Sequence, residues 1–407
     1  MSTVEFSEER SGQQTSRRAP TLRERRINAL KKKGIDEQHR LMLEPPTRSF
    51  YWIAGIVSLF VLLGVIMVLS SSSVVRLQEG ASAWAMFSRQ LVWVALGLAA
   101  GLYTYWTPYH SWVRRRWLLP LAAIAVALNM AVIVRGALVN GARAWLDLFG
   151  FRFQPSEFMK IVVILFAANL IATRHRSVRI PQMVFVPLLV AMGVTGLLCA
   201  AQKDFGGALI FIGVVLMMMT FSGMPKRFIA ATVAIAGFFG FLVLEFSRRA
   251  SLRLLAFMNL EETKEDWGYQ VYQSLLSIAN GGWTGTGLGS GTSKWGYVPE
   301  AHTDFIFAVI AEEMGIAGTV VVIGGFLLLM FFGVQVALAA PDMTGALIAA
   351  GVTTWFVFQA FVNIGGVTGA LPLTGLTLPF LSYGGSSMVA SMAGAGLLLN
   401  VARRMKS

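Results

Sequence analysis

Residues 50–70 read FYWIAGIVSLFVLLGVIMVLS, twenty-one positions without a charged group. At 1.5 Å of rise per residue a helix of this length reaches about 30 Å, the thickness of the bilayer hydrocarbon. The run has companions. Working outward from it, comparable apolar stretches fall at about 87–107, 117–135, 157–173, 184–200, 208–222, 228–246, 304–333, 344–366 and 383–402. Ten such stretches predict an all-α polytopic membrane protein, a bundle of ten transmembrane helices. The composition agrees: 55% of the 407 residues are hydrophobic, 14% are charged, and the mean hydropathy is +0.63. A soluble domain holds about 25% charged residues, so a soluble enzyme, a disordered chain and a nucleic-acid-binding domain are all excluded.

Charge then orients the bundle. The net charge of +13 lies in the tails and short loops, where it sets topology and implies no nucleic-acid partner. Arg114-Arg115-Arg116, then Arg174 with Arg176 and Arg179, then Lys226-Arg227, and finally Arg403-Arg404 with Lys406 all fall on one side if the N-terminus is inside. Both termini are therefore expected in the cytoplasm. Residues 1–49, with eleven Lys/Arg against seven Asp/Glu, read as a basic, disordered cytoplasmic tail. Arg17–Lys33 suits either a solvated segment that enforces topology or a basic helix on an anionic leaflet. No apolar run precedes Phe50, so the first span is expected to be retained rather than cleaved. The ten-helix domain occupies 50–402, with a basic end at 403–407. Two external loops are expected, about 136–156 and a large one, 247–303, between spans seven and eight. Loops of this length without a periodic pattern are usually functional.

The single cysteine, Cys199, and the scattered histidines His39, His110, His175 and His302 give neither a disulfide nor a zinc spacing. No protein metal site is expected. Ionisable groups near spans are the default site candidates, and here they gather at the outward ends. Asp304 opens span eight after Pro299-Glu300-Ala301-His302-Thr303. It reads either as a general base at the membrane surface or, with Thr303 as N-cap, as a helix-capping carboxylate. Glu312 and Glu313 follow about 12–13 Å deeper, near the midplane, and need partners there, whether structural ones or those of an ion pathway. Glu157 and Lys160 in the fourth span stand i, i+3, so they either pair internally or leave Lys160, with Arg143, to face an anionic headgroup. Asp204 precedes Gly206-Gly207. Ser386 and Ser387 open span ten beside glycines, a pattern that suits a phosphate or close helix contact. Gln359 and Asn363 read as polar glue within the bundle.

Three ordered blocks carry a resemblance. Pro299 to Phe307 followed by Ala311-Glu312-Glu313-Met314-Gly315, Gly141-Ala142-Arg143-Ala144-Trp145 with Gln154-Pro155-Ser156-Glu157, and Pro372 to Phe380 running into Ser382-Tyr383-Gly384-Gly385-Ser386-Ser387 together resemble the SEDS family of shape, elongation, division and sporulation proteins. The wording Gly375-Leu376-Thr377-Leu378-Pro379 and the long N-terminal tail resemble its division member more than its elongation member. The resemblance implies a peptidoglycan glycosyltransferase of the cytoplasmic membrane, at the division septum, that polymerises lipid II with inversion. Its partners would be a class B penicillin-binding transpeptidase and other divisome membrane proteins.

Carried over residue by residue, the resemblance makes Asp304 catalytic. Arg143, Trp145, Gln154, Ser156, Glu157, Lys160, Asp204, His302, Thr303, Ser386 and Ser387 become the substrate-binding candidates. No organic cofactor is implied; a divalent cation, magnesium or manganese, could sit at the pyrophosphate. Where the family usually carries Gln-Pro-Asp-x-Gly-Thr, this chain has Gln202-Lys203-Asp204-Phe205-Gly206-Gly207. The competing functions are a lipid II flippase, the elongation-type role, and a scaffold that only recruits the transpeptidase.

Overall fold

The computed structural model describes residues 46–405 apart from 79–81, 83, 140, 149 and 150. Most of the basic tail read from the sequence, and the last two residues of the basic end, lie outside the described residues. Each of the ten apolar stretches coincides with a helix. In order, the chain forms α1 (Arg48–Gln78), α2 (Ala85–Trp106), the short α3 (Tyr109–Trp112), α4 (Arg115–Arg135), α5 (Pro155–Thr173), α6 (Phe185–Gln202), α7 (Phe205–Phe221) and α8 (Lys226–Phe246). Then follow α9 (Arg248–Met258), α10 (Tyr269–Gly281), α11 (Ile306–Leu338), α12 (Met343–Val367) and α13 (Gly385–Arg403). Among the described residues nine of these are long and apolar enough to cross a membrane, and α7, at seventeen residues, is the shorter tenth stretch. The chain is a multi-pass membrane protein.

The centre of the bundle is built from α12 and α13, in whose most apolar eighteen-residue stretch 78% of positions are buried, and α5, with 61%, whereas α8, with 11%, lies at the rim. Small residues allow the closest approach. A Cβ on Gly396 of α13 would fall 2.1 Å from the Gly101 carbonyl of α2, so only glycine lets these backbones meet. Thr104 Oγ1 donates to the Ala393 carbonyl at 2.8 Å across the same contact. At one end of the bundle Asp342 caps α12 by accepting from Gly345 N–H at 2.8 Å, and it also accepts from Tyr109 Oη and His110 Nε2. These donors hold its carboxyl well below the usual carboxylate range.

Three expectations need correction. The spans are helical as expected, and the expected external loop 136–156 carries short strands. Ala137–Val139, Ala142–Leu148 and Phe151–Phe153 form strands β1, β2 and β3 of an antiparallel sheet in that order. Leu138 opposes Arg143 and Asp147 opposes Arg152; the alternation of Arg143, Trp145 and Asp147 is a two-residue period. The region 247–303 is also more ordered than a loop, since it contains α9 and α10, amphipathic helices too short to register as spans.

The third correction concerns span eight. Its helix starts at Ile306, and Gly315 (φ 61°, ψ −152°) breaks it. The segment 316–338 alone rises about 35 Å, enough to cross. Glu312 and Glu313 precede the break, which removes the need to place them at the midplane.

Loop charge makes a testable statement about orientation. Arg115 and Glu262 are both exposed, and the native Cys199 is buried. With a thiol reagent that cannot cross the cytoplasmic membrane, Glu262→Cys should label in intact cells and Arg115→Cys only after lysis. The reverse pattern would invert the bundle.

Candidate active site

Asp304 sits in the turn before α11, and that turn decides its role. The N-cap of α11 is Phe305, with no side-chain cap. Thr303 Oγ1 instead donates back to the Glu300 carbonyl at 3.0 Å and to Glu300 Oε2 at 3.1 Å. The capping reading of Thr303 and Asp304 therefore fails, because the helix begins too late. Among the described residues the Asp304 carboxyl has no hydrogen-bond or ion-pair partner, while its main-chain carbonyl accepts from Asn363 Nδ2 at 2.8 Å. A Cβ built on Gly375 would lie 3.4 Å from Asp304 Oδ2 and 3.8 Å from Arg253 Nη2, so the carboxylate and the guanidinium flank the same glycine. Burial pushes the Asp304 carboxyl up, the neighbouring Glu300 charge adds to this, and Arg253 opposes it, leaving it at about 7. Burial in turn lowers Arg253 to about 10.

The segment 372–384 holds these groups together. Arg253 Nη1 donates to the Thr374 carbonyl at 3.2 Å. Asn363 Nδ2 also donates to the Leu376 carbonyl at 2.6 Å, and Gln359 Nε2 to the Thr377 carbonyl at 2.8 Å. The Thr377 and Ser387 hydroxyls meet at 2.8 Å. Tyr383 N–H donates to the His302 carbonyl at 2.9 Å, and the two rings lie 5.6 Å apart. Asn363, read as bundle glue, thus ties the 372–384 segment to the backbone of Asp304.

Several sequence candidates form a second, internal cluster. Lys160 is 2% exposed, and its Nζ donates to Glu157 Oε1 at 2.7 Å and to Gln359 Oε1 at 2.9 Å, with the Trp355 ring 5.4 Å away. The i, i+3 ion pair has formed, and the ammonium does not face a headgroup. Ser386 Oγ accepts from the Gln154 N–H at 2.9 Å, and Ser387 is committed to Thr377. Their hydroxyls bind protein rather than standing open to phosphate. Asp204 is the N-cap of α7: Oδ1 accepts from Gly207 N–H at 2.8 Å and Oδ2 from Ser156 Oγ at 3.3 Å. Burial raises its carboxyl, and its charge adds slightly to the rise of Asp304.

Arg143 is exposed on β2, and its side chain makes no hydrogen bond or ion pair among the described residues. Trp145, half-buried on the same strand, opposes Ala137. Neither is brought against Asp304. The cations that do converge come from elsewhere. An open cavity of about 800 Å³ is lined by Lys203, Arg248 and Arg249 together with Phe205, Phe239, Leu242, Phe246 and Trp267. Arg249 and Arg253 are one turn apart on α9, so this helix runs from the cavity to Asp304. The sequence showed these arginines as basic residues of an external loop; their i, i+4 spacing was the available signal for a shared face. Lys203 has φ 60°, a left-handed conformation closed to proline, so the departure from the family wording at this position matches the backbone.

Glu312 and Glu313 find partners too. Glu312 accepts from Asn280, Thr292 and Ser293, and both Glu313 oxygens accept from Ser70 Oγ. These partners are a folded loop and α1, which gives no support to an ion pathway. Among the described residues no three of His, Cys, Asp and Glu gather to hold a metal ion.

Fold and site together define a multi-pass membrane protein with a carboxylate of raised pKa where helix ends converge. Residues 50–407 match the cell cycle protein family of FtsW, RodA and SpoVE, and the chain belongs to that family. It is 38% identical over 346 residues to the protein named "Probable peptidoglycan glycosyltransferase FtsW" of Geobacter metallireducens, covering 84% of this chain and 92% of that one. It is 35% identical over 349 residues to stage V sporulation protein E of Bacillus subtilis, covering 85% and 94%. A solved chain of a peptidoglycan synthase complex that coordinates polymerization and crosslinking superposes with a TM-score of 0.70 at 29% identity, covering 87% of this chain and 97% of that chain.

The internal cluster has a stability signature. Lys160→Met strands the buried Glu157 and should cost about 3–5 kcal/mol, while the Glu157→Gln, Lys160→Met double variant should recover most of the loss. Unfolding in detergent micelles measures both. A double variant no more stable than Lys160→Met would remove the structural role of the pair.

Proposed function

We propose that the chain is a division-type peptidoglycan glycosyltransferase that polymerises lipid II at the outer face of the cytoplasmic membrane. The observation that carries this reading is the Asp304 carboxyl, unpartnered among the described residues, raised to about 7 and set beside Arg253. A base needs a pKa near the working pH, and a carboxylate in an ordinary N-cap would be too weak. The acceptor sugar hydroxyl gives its proton to Asp304 as its oxygen bonds to the anomeric carbon of the lipid-linked donor. The bond from that carbon to the pyrophosphate oxygen breaks, with inversion, and undecaprenyl pyrophosphate leaves with the electron pair.

Pyrophosphate is a good leaving group once its charge is met. Lys203, Arg248 and Arg249 supply cations, and the aromatic and leucine side chains of the same cavity suit a polyprenyl chain. These three take the place in the mechanism that the sequence suggested for Arg143 and Lys160. Relatives named FtsW favour the septum as the place of action. A synthase complex that couples polymerization to crosslinking favours a class B penicillin-binding transpeptidase as partner, among other divisome proteins.

Two measurements test the mechanism. With lipid II and the transpeptidase, Asp304→Asn should fold yet polymerise about 10²–10⁴-fold more slowly; near wild-type glycan synthesis would end the base assignment. The raised pKa means that Asp304 is protonated and inactive below pH 7, so kcat should rise with pH through about 7. Arg253→Gln removes the one charge that favours the carboxylate and should move this limb to higher pH. A limb that stays in place or moves down would separate Arg253 from Asp304.

A further inference from the structure

Glu312 is fully buried, and the mechanism above does not use it. Among the described residues Glu312 forms no ion pair, and its partners are neutral donors. Oε1 accepts from Asn280 Nδ2 at 3.0 Å, Thr292 N–H at 2.7 Å and Thr292 Oγ1 at 2.6 Å. Oε2 accepts from Ser293 N–H at 3.1 Å and from Ser293 Oγ. Five donors occupy an acceptor with about four lone-pair sites, and hydrogen bonds to an ionised group are roughly twice as strong as neutral ones. Every donor comes from one stretch, the end of α10 and the glycine-rich segment after it.

The backbone repeats the same clamp. In an unbroken helix Ile316 N–H would donate to the Glu312 carbonyl. Here the break at Gly315 lets Ile316 N–H reach the Gly282 carbonyl at 3.1 Å, and the freed Glu312 carbonyl accepts from Thr286 N–H at 2.9 Å. Gly287 N–H donates to the Glu313 carbonyl at 3.1 Å. The two strands of chain cross without room for a side chain: a Cβ on Gly285 would lie 2.2 Å from the Glu313 carbonyl, and one on Gly315 2.4 Å from Gly285 N.

The consequence is a closed loop. Thr292 and Glu312 are twenty residues apart, and the chain between them contains Pro299 to Asp304. On one side of Asp304 this loop is tied at Glu312; on the other, Asn363 holds the Asp304 carbonyl. Fixing both ends of a loop removes much of its conformational freedom. We propose that Glu312 is a positioning residue of the active site, whose carboxylate closes the 292–312 loop and so fixes Asp304. The proposal rests on the glycosyltransferase reading of Asp304.

Two variants approach the contact from opposite sides. Glu312→Gln keeps the shape but turns an acceptor into a donor against N–H groups. Thr292→Val with Ser293→Ala leaves α11 untouched and removes two hydroxyl donors. Each full-length protein is reconstituted with lipid II and the transpeptidase, and amide hydrogen exchange is followed alongside kcat and KM. A displacement of 1 Å can cost about 10²-fold in rate. Both variants should lose at least tenfold in kcat with KM within about twofold, and exchange should quicken in 286–304 while α12 and α13 keep wild-type protection. Unchanged kcat in the loop-side variant, or quickened exchange throughout α12 and α13 in both variants, would overturn the proposal. If the wild-type chain makes no glycan, the glycosyltransferase reading fails by that measurement, whereas exchange in 286–304 still reports whether Glu312 orders the loop.

Discussion

An ionised carboxylate buried in a membrane bundle is tolerated only where donors or a cation surround it, and most of the architecture near the site follows from meeting that demand. Glu157 is met by Lys160, Glu313 by Ser70, Glu312 by a folded glycine-rich segment, and Asp204 by the start of α7 together with Ser156. The bonds of Glu313 to Ser70, of Glu312 to Thr292 and of Asp204 to Ser156 join elements distant in sequence, so interactions that offset the burial of charge also fix how the helices meet. Asp304 breaks the pattern. Its carboxyl is half-buried and has no donor among the described residues, and burial with the Glu300 charge raises it to about 7.

The 372–384 segment turns this into a site. It is irregular backbone lying against the ends of several helices, which is viable only where protein groups satisfy its amides and carbonyls. Gln359 and Asn363 of α12 and Arg253 of α9 donate to its carbonyls, and Ser382 Oγ accepts from Leu378 N–H at 2.8 Å. Asn363 spends one amide group on both this segment and the carbonyl of Asp304. Positioning is thereby shared between the centre of the bundle, where α12 is most buried, and the loop that carries the reactive carboxyl.

The corner at Lys203 illustrates how a local departure is absorbed. A residue at φ 60° ends α6, and Asp204 at once caps α7. Lysine can adopt this turn where proline cannot, and its side chain then lines the cationic cavity. Lys203 thus takes part in both the left-handed corner and the cationic lining beside it.

The sequence by itself determined the class of the molecule and the place of its helices. Twenty apolar residues in a row have few fates, and the run 50–70 with its companions located the spans to within a few residues, span eight with its break at Gly315 excepted. The i, i+3 spacing of Glu157 and Lys160 likewise made their pairing legible, because a helix sets that distance whatever surrounds it. The sequence could not decide which polar residues face inward from different elements. Asp304 read as a cap or as a base until the start of α11 at Ile306 removed the first role, and Arg253 was one basic residue of a loop until α9 brought it to Gly375. Nor was the partner of Glu312 visible, since it lies in a glycine-rich stretch whose fold exists only against the break at Gly315. Local periodicity is written in the chain, whereas the pKa of a carboxylate depends on which distant donors reach it, and tertiary structure alone decides that.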